Sequence, residues 1–513
     1  MKDKKKLIIL DISSNLKIER KNCYVIKIDT GNITLENYKD LTFNLNIKKY
    51  NFYYNKIIST QILLYLKKFT KFLPLKYLLY SEIANFRDDK INLFDKVKCI
   101  LEIKRLHLDK KYNIEVISDK KYAINIYFQL FKKFRFYNAY KNENKNINFR
   151  LKYFLSRTRF LFKVLFITSY LKLFFKKNYL GKQVGFSIYP IMNIGFKNRL
   201  YKVKNPKYLN FLIGDETHTD TNLFTLIKKI QNLSKKNFFH AEQELLIKDL
   251  VFDYLISLKK IGLIKEIEKK NLIINKIDFK TLFQHYFLIS LLNLLKIKIY
   301  EKPLIKIFKN RGNFKEFHYF LFEYNLGFFM TKTIKSINSK IRMIGYQHGI
   351  FGENTPWLEI INKSKINNFM PDKILYVYEE TKKIYQKKIS AIFRKNSCNF
   401  DNLNKKLIPI IDKANKNCLI FLGLHDGEDI INQILYDANF RKKFNKIYLK
   451  YHPKKTDIIS KYNKKEQLNF VNNLEKIKVG SIYLSSSSSL TYAFKKMNIS
   501  FNLINIPYKS SKK

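Results

Sequence analysis

Short, continuously apolar runs alternate along the chain with longer amphipathic stretches. In the first part of the chain the runs at 7–12, 23–29 and 113–119 are strand-like, and residues 54–73 have the apolar spacing of an amphipathic helix. Apolar strands separated by helices are typical of a parallel sheet that helices cover on both faces. We therefore predict that residues 1–120 form an α/β unit.

The same alternation returns after residue 181. A strand is predicted at 209–214, helical patterns at 241–258, 281–297 and 317–337, and further strands at 341–345 and 373–378. The polar, patternless residues 395–409 predict a linker. Strand-like and helical runs then follow in the order NCLIFLGL, DIINQIL, KIYLKY, LNFV, SIYLS, LTYAFKKM and ISFNLI. The predicted class is α/β, with an N-terminal domain over 1–405 and a C-terminal domain over 410–513.

The chain is strongly basic. Its 513 residues include 98 Lys and Arg against 42 Asp and Glu, a formal net charge of +56. Because the lysines are spread along the whole chain, much of this charge is accounted for by an ordinary solvated surface. A field of this sign also attracts anionic partners, which are nucleic acid, acidic lipid headgroups or the phosphates of a nucleotide sugar.

Residues 120–180 are rich in Phe, Leu and Tyr and are interspersed with Lys and Arg. Lys163 and Lys172 interrupt the apolar residues between 159 and 177, so this stretch does not meet the requirement of about 20 apolar residues for a bilayer span. A basic amphipathic helix suits the surface of an anionic membrane. The alternative is a core helix whose lysines reach outward to solvent.

The cysteines and the N-terminus indicate a reducing, cytoplasmic environment. Four cysteines lie far apart with no CxxC pair, which argues against structural zinc and against a disulfide framework. The apolar run at the N-terminus stops at Asp11, which is too short for a signal peptide and is predicted to be a first strand.

The first candidate for chemistry is the polar loop that follows the predicted strand 341–345. In open α/β sheets ligands bind just beyond the carboxyl ends of the strands. Gln347 and His348 lie there, next to Gly349. The unperturbed pKa of histidine suits a general base that deprotonates a hydroxyl group. The alternative is a structural histidine that holds the loop.

The second candidate is His452, which is followed by Pro453 at the end of the strand-like run KIYLKY. With Lys450 nearby, this histidine can bind phosphate by charge-assisted hydrogen bonds and stabilise the charge of a departing nucleoside phosphate. The alternative is an ordinary His-Pro turn.

Two further loops complete the candidate site. A serine run between a strand and a helix offers hydroxyl groups and backbone N–H groups to an anion, and its members are Ser485, Ser486, Ser487, Ser488 and Ser489. The alternative is a low-complexity loop in which a serine caps the helix. In the run at 422–430, Gly427 permits close backbone approach to phosphate, whereas the acidic residues around it, Asp426 among them, can equally cap a helix. No GxGxxG, P-loop or metal-ligand spacing is present.

Together these residues resemble GT-B-type transferases of bacterial surface-polysaccharide synthesis. The group includes capsule and lipopolysaccharide glycosyltransferases, sialyl- and polysialyltransferases and CDP-glycerol glycerophosphotransferases. The resemblance covers about 320–500, and its residues are Glu323, Ile344 to Gly349, Pro371 to Val377, His452 with Pro453, and Ser485 to Ser489. Tyr378 and Glu379 stand where the family has a glycine.

The resemblance implies two Rossmann-like domains that face a cleft, with the acceptor on the N-terminal side and a nucleotide-activated sugar on the C-terminal side. It implies an inverting transfer with no bound metal or cofactor. His348 would be the base or orient the acceptor, together with Gln347, Glu323 and Asp426. His452, Lys450, Gly427 and the serines would hold the donor phosphate.

The resemblance also implies a lipid-linked glycan acceptor at the inner face of the plasma membrane, which gives the segment 120–180 a role as a peripheral membrane anchor. Two alternatives remain open. One is a polyol-phosphate transferase of the same fold. The other is a basic, non-enzymatic protein that binds nucleic acid, which we favour less because the sequence contains no RNA-type aromatic motif.

Overall fold

The structure is a computed structural model of the chain. The residues that it describes are 4–29, 31–81, 83–84, 93–139, 149–175, 184–187, 207–213, 222–232, 238–259, 261–310, 314–320, 322–347, 359–366, 368–396, 408–423, 426–452, 457–462, 468–485, 488, 490–504 and 506.

The first part of the chain forms a five-stranded parallel sheet, the N-terminal sheet, with strand order β5-β3-β1-β6-β7. A small parallel pair, β2 with β4, lies beside it in the chain. The strands are β1 (Lys6–Asp11), β2 (Glu19–Lys21), β3 (Tyr24–Lys27), β4 (Thr34–Glu36), β5 (Lys39–Asp40), β6 (Asn113–Ser118) and β7 (Arg135–Asn138). The helices are α1 (Ile47–Lys67), α2 (Leu75–Leu78), α3 (Leu93–Arg105) and α4 (Ala123–Leu130).

The middle of the chain forms a seven-stranded parallel sheet, the central sheet, with strand order β10-β9-β8-β13-β14-β15-β16. Its strands, with the antiparallel pair β11 and β12, are β8 (Val184–Ser187), β9 (Lys207–Asn210), β10 (Phe238–His240), β11 (Ile273–Ile274), β12 (Ile277–Asp278), β13 (Glu316–Phe320), β14 (Arg342–Tyr346), β15 (Lys373–Tyr376) and β16 (Ile392–Lys395). The helices are α5 (Phe149–Phe174), α6 (Leu223–Asn232), α7 (Ile247–Lys259), α8 (Ile261–Lys269), α9 (Lys280–Lys298), α10 (Glu301–Ile305), α11 (Asn325–Ile337), α12 (Glu359–Ser364) and α13 (Glu379–Gln386).

The last part of the chain forms a second five-stranded parallel sheet, the C-terminal sheet, with strand order β20-β19-β18-β22-β23. A short parallel pair joins β17 to β21. The strands are β17 (Ile410–Ile411), β18 (Cys418–Phe421), β19 (Ile447–Lys450), β20 (Leu468–Phe470), β21 (Lys478–Val479), β22 (Ser481–Ser485) and β23 (Asn502–Ile504). The helices are α14 (Gly427–Tyr436), α15 (Ala438–Lys442), α16 (Asp457–Tyr462) and α17 (Leu490–Lys496).

All three sheets share one topology. When the strands of each sheet are counted in chain order, each sheet begins 3-2-1-4-5, which is the doubly wound, Rossmann-like order. In each sheet the second and third strands therefore lie on one side of the first strand, and the fourth and fifth strands lie on its other side. A crevice opens between the first and fourth strands at their carboxyl ends, and ligands bind there in such folds.

The predicted α/β class with parallel sheets is confirmed. Residues 1–405, predicted to form one Rossmann-like domain, hold two large parallel sheets among the described residues, besides the small pair of β2 and β4. One continuous apolar core runs through both of them, from Leu7 to Ile389. The C-terminal sheet has separate apolar clusters. The division into an acceptor-side and a donor-side domain near residue 405 stays a prediction.

Two element predictions are corrected by the structure. The helical pattern predicted at 317–337 begins with β13, and α11 starts only at Asn325. Four consecutive residues of β13 are buried, so the strand carries no alternation that distinguishes it from a buried helix. The segment 120–180 is likewise only partly helical, because Arg135–Asn138 forms β7 at the edge of the N-terminal sheet.

One stretch of the described residues, Lys280–Lys309, is long and apolar enough to cross a membrane. This criterion uses length and composition only, and 53% of its most apolar window is buried. The core helix of a soluble protein meets the same criterion. Here α9 supplies Leu282, Phe283 and Phe287 to the shared apolar core.

Candidate functional site

The carboxyl edge of the C-terminal sheet gathers three of the predicted loops. Strands β19, β18 and β22 are neighbours in the sheet and run parallel. His452 lies two residues beyond β19, Asp426 lies in the loop that follows β18, and Ser485 is the last residue of β22. The crevice of this sheet opens between β18 and β22, because those are its first and fourth strands.

A hydrogen bond closes the floor of this crevice. The hydroxyl of Ser485 donates to Asp426 Oδ2 over 2.5 Å. Both side chains are buried, so this is a charge-assisted hydrogen bond in a region of low dielectric. It joins the carboxyl ends of β18 and β22, the two strands that border the crevice. Asp426 occupies the N-cap position of α14, but its side chain makes no capping bond. The acidic residues Glu428 and Asp429 lie in the first turn of this helix, as the capping alternative predicts, whereas the side chain of Asp426 bonds to Ser485.

Gly427 is the first residue of α14 and is buried. A Cβ atom at this position would lie 3.3 Å from Leu422 Cβ and 3.3 Å from Ile458 Cδ1. The missing side chain therefore lets α14 pack closely against the end of β18 and against α16. This close packing holds the backbone of residue 427 at the edge of the crevice.

Lys450 and His452 lie at the end of β19. Both are half-buried. Lys450 Nζ donates to the carbonyl oxygen of Asn472 over 2.8 Å, and partial burial lowers the pKa of Lys450 below its ordinary value. An ammonium group has three N–H donors, so one bond to a carbonyl leaves capacity for an anion. Pro453 lies outside the described residues.

Two serines of the run, Ser485 and Ser488, make hydrogen bonds that hold the local structure. Ser485 bonds to Asp426, as given above. Ser488 Oγ accepts a hydrogen bond from Leu490 N over 3.2 Å, and Ser488 O accepts one from Thr491 Oγ1 over 2.9 Å, so Ser488 holds the start of α17. The predicted alternative of a serine at the N-cap position falls on Ser489. Ser486, Ser487 and Ser489 lie outside the described residues.

At the central sheet, Gln347 follows directly after β14 and is buried. Its Oε1 accepts hydrogen bonds from Val377 N over 2.6 Å and from Tyr378 N over 3.3 Å. The side chain therefore fixes the loop that leaves β15. Gln347 is a positioning residue in this structure. His348 and Gly349, the other members of the predicted loop, lie outside the described residues.

Glu323 lies between β13 and α11, beyond the carboxyl end of a strand that pairs with β14. Its side chain is only 1% exposed. Glu323 and Gln347 therefore follow two neighbouring strands at the same edge of the central sheet. Gly345 keeps this edge compact, since a Cβ there would lie 2.6 Å from the ring of Phe322 and 2.9 Å from Pro371 Cγ.

Tyr378 connects this edge to the C-terminal sheet. Its ring centroid lies 5.9 Å from that of Tyr492 in α17, at an interplanar angle of 45°. Gln347 holds the backbone of Tyr378, and α17 follows the serine run. Tyr378 thus links the loop that follows β15 to α17, the helix that follows β22 in the chain.

A polar cluster that no sequence motif indicated lies at the carboxyl edge of the N-terminal sheet. Lys96 Nζ, on α3, donates to Asp11 Oδ1 over 3.0 Å, to Asp29 Oδ2 over 2.6 Å and to Tyr122 Oη over 2.7 Å. Burial lowers the pKa of Lys96, but the charges of the two carboxylates outweigh it and raise that pKa well above its ordinary value. The sequence signal for this cluster was an aspartate at or just after the end of each strand, Asp11 for β1 and Asp29 for β3.

A second missed group lies at the far edge of the central sheet. Glu242 Oε1 accepts hydrogen bonds from Tyr300 Oη over 2.5 Å and from Ile213 N over 2.9 Å. Its Oε2 has no hydrogen-bond partner among the described residues, and burial raises the pKa of Glu242 to about 7. Burial lowers the pKa of the neighbouring His240 to about 4. Both residues occur in the run HAEQE, whose last four residues the sequence analysis interpreted as the start of a helix.

Within the described part of the chain, no group of three or more His, Cys, Asp and Glu side chains is placed to hold a metal ion. No protein-family model matches the chain, and no curated protein matches it.

Proposed function

We propose that this protein is a glycosyltransferase of GT-B type that moves a sugar from a nucleotide-activated donor to a growing surface glycan, in capsule or lipopolysaccharide synthesis. The observation that carries the proposal is the carboxyl edge of the C-terminal sheet. There, loops with His452, with Asp426 and Gly427, and with Ser485 follow three adjacent parallel strands, and two of these loops flank the crevice.

The donor phosphates would lie over this edge. Lys450 supplies a cationic donor and His452 an imidazole ring on one side, and the tightly packed backbone at Gly427 lies at the start of a ten-residue helix. Such groups stabilise the negative charge that develops on a departing nucleoside phosphate. The Ser485–Asp426 bond fixes the floor beneath it.

The acceptor would lie on the side of the central sheet. In an inverting transfer, an acceptor hydroxyl attacks the anomeric carbon as the bond to the nucleotide breaks, and a base takes the hydroxyl proton. His348 is the proposed base because it directly follows Gln347, a residue fixed at the edge that Tyr378 links to α17. Glu323 follows the neighbouring strand.

A second function of the same fold is a polyol-phosphate transferase of the CDP-glycerol type. It would use the same cationic edge, because its donor also carries a nucleoside diphosphate. The phosphate-binding groups named above do not distinguish a sugar from a polyol phosphate.

The experiment is a thermal-unfolding screen of the purified protein against nucleotides, nucleotide sugars and CDP-glycerol, with a metal chelator present. The expected result is a rise in Tm with one nucleotide class, lost in His452→Ala. A ligand that binds the native state at 100 times its Kd stabilises it by about 2.7 kcal/mol, which is a readily measured shift.

The matched control is His285→Ala, which removes an exposed histidine from α9 in the central part of the chain. It should leave the nucleotide-induced shift unchanged. If no nucleotide stabilises the wild type, while nucleic acid binds tightly and with a steep dependence on salt, the transferase proposal is wrong and the nucleic-acid alternative replaces it.

A further inference from the structure

Helices α5 and α7 pack side by side as an antiparallel pair. Near the start of α5, Tyr153 Oη donates to Ser257 O over 2.8 Å, at the end of α7. Near the end of α5, Lys172 Nζ donates to Leu245 O over 2.6 Å, just before α7 begins. The two helices therefore cover each other along most of the length of α7.

Helix α5 is not amphipathic, because apolar side chains lie both on its buried face and on its exposed face. The inner face is buried and consists of Tyr153, Phe160, Val164, Ile167 and Leu171. The outer face consists of Leu151, Leu155, Phe162, Phe166 and Leu173, which are between 46% and 78% exposed. These outer residues recur every four or seven positions, a spacing that places them on one side of a helix.

Helix α7 continues this exposed apolar surface. Its exposed residues, between 41% and 58% exposed, are Ile247, Val251, Phe252 and Leu255. We refer to these four residues and the five outer residues of α5 as the α5–α7 face. Exposed apolar side chains concentrated on two helices that pack together mark an interaction site in a folded protein.

The charges around this face are basic. The 26 residues of α5 include six Lys or Arg and no Asp or Glu. Arg159 is exposed beside the apolar row, and Lys248 is exposed on α7. Helix α7 has two acidic residues. Asp249 is paired with Lys302 over 2.8 Å, and the half-buried Asp253 interacts with the charges of Lys298 and Lys302.

We propose that the α5–α7 face binds the surface of an anionic lipid bilayer. Two helices with bulky apolar side chains and flanking cations fit the boundary between headgroups and acyl chains, where apolar groups are buried and Lys or Arg meet lipid phosphates. A second copy of this chain is a poor occupant, because two bodies that each carry a net charge of +56 repel each other. The α5–α7 face makes specific the membrane contact predicted for residues 120–180 and adds α7 to it, and it does not depend on the proposed transferase activity.

The test is sedimentation of the full-length protein with vesicles, without any nucleotide. The expected result is strong binding to vesicles that contain phosphatidylglycerol and weak binding to pure phosphatidylcholine, with binding that falls as salt rises. The double variant Phe162→Ser/Phe166→Ser should bind the anionic vesicles about tenfold or more weakly, because two aromatic side chains no longer enter the bilayer.

The matched apolar control is Phe52→Ser. Phe52 is 79% exposed on α1, and its replacement should leave binding unchanged. For the charges, Arg159→Ala should weaken binding about fivefold. Lys340→Ala, which removes an exposed cation before β14, should have little effect.

Three results would overturn the proposal. One is no vesicle binding at low salt. Another is an equal loss of binding in Phe52→Ser and in the double variant. The third is a concentration-dependent dimer in sedimentation velocity that the double variant abolishes, which would assign the face to a second copy. Because all substituted side chains are exposed, unchanged circular dichroism is expected for every variant.

Discussion

Replacing Ser485 with alanine removes the hydroxyl that donates to Asp426 Oδ2 at the floor of the crevice. Asp426 lies in the loop that follows the first strand of the C-terminal sheet, and Ser485 is the last residue of the fourth strand. The substitution therefore weakens the connection between the ends of β18 and β22, where the nucleotide-activated donor is proposed to bind. Asp426→Ala removes the same bond from the other side.

The magnitude follows from burial and geometry. The bond spans 2.5 Å, and both side chains are at most 3% exposed. A hydrogen bond to a charged group contributes about 1.5–3 kcal/mol to stability. In a double-mutant cycle, Ser485→Ala and Asp426→Ala should therefore show a coupling free energy of about 2 kcal/mol.

A local probe is needed, because a chain with three sheets need not unfold in one step. Cys418 in β18 is fully buried, and burial raises the pKa of its thiol to about 12. Its labelling therefore requires local opening of the C-terminal sheet. Loss of about 2 kcal/mol speeds labelling about 30-fold, since about 1.4 kcal/mol corresponds to a factor of ten.

Peptide mass spectrometry reads Cys418 separately, and Cys99, buried in α3, serves as the internal control. Its labelling should not change. The reasoning is refuted if the coupling free energy falls below about 0.5 kcal/mol, the level of additive, independent sites. An equal acceleration at Cys99 would show global rather than local loosening.

Three further predictions concern the central sheet. Gly345→Ala should lower Tm markedly, because its Cβ would lie 2.6 Å from the ring of Phe322; an unchanged Tm would contradict the packing. Glu242→Gln should gain about 3 kcal/mol relative to wild type between pH 4.5 and 7, measured as the difference in unfolding free energy. The sign follows because the pKa of Glu242 is raised to about 7 in the folded state, so its contribution to stability is present at low pH and is lost as pH rises through 7. Gln347→Ala should weaken acceptor-dependent turnover without abolishing the nucleotide-induced Tm shift, because it releases the backbone of Tyr378 and leaves the C-terminal edge intact.

The C-terminal sheet was the most predictable part of the fold. Its strands are short apolar runs, separated by turn residues and by helices with a clear apolar stripe, and β18, β19, β20, β22 and β23 all lie within the predicted runs. The loops that follow β18, β19 and β22 could be placed at one edge from the sequence, because parallel strands align their carboxyl ends.

What the sequence could not provide depends on contacts between distant residues. Lys96 lies 85 residues from Asp11, and nothing local indicates that α3 places its ammonium between two strand ends. Strand β13 was mistaken for a helix because burial on both faces removes the period-two signal. Gln347 was predicted as an acceptor-loop residue, whereas its backbone partners at Val377 and Tyr378 became visible only in the folded sheet.

The most direct test of the proposed function is release of free nucleoside phosphate from the donor that stabilises the protein, measured by anion-exchange chromatography with membrane-derived acceptor and a metal chelator present. We expect release that depends on the acceptor, that His452→Ala abolishes and that His285→Ala leaves unchanged. Nucleotide binding without any acceptor-dependent release, over the full panel of nucleotide sugars and CDP-glycerol, would contradict the assignment of this protein as a transferase.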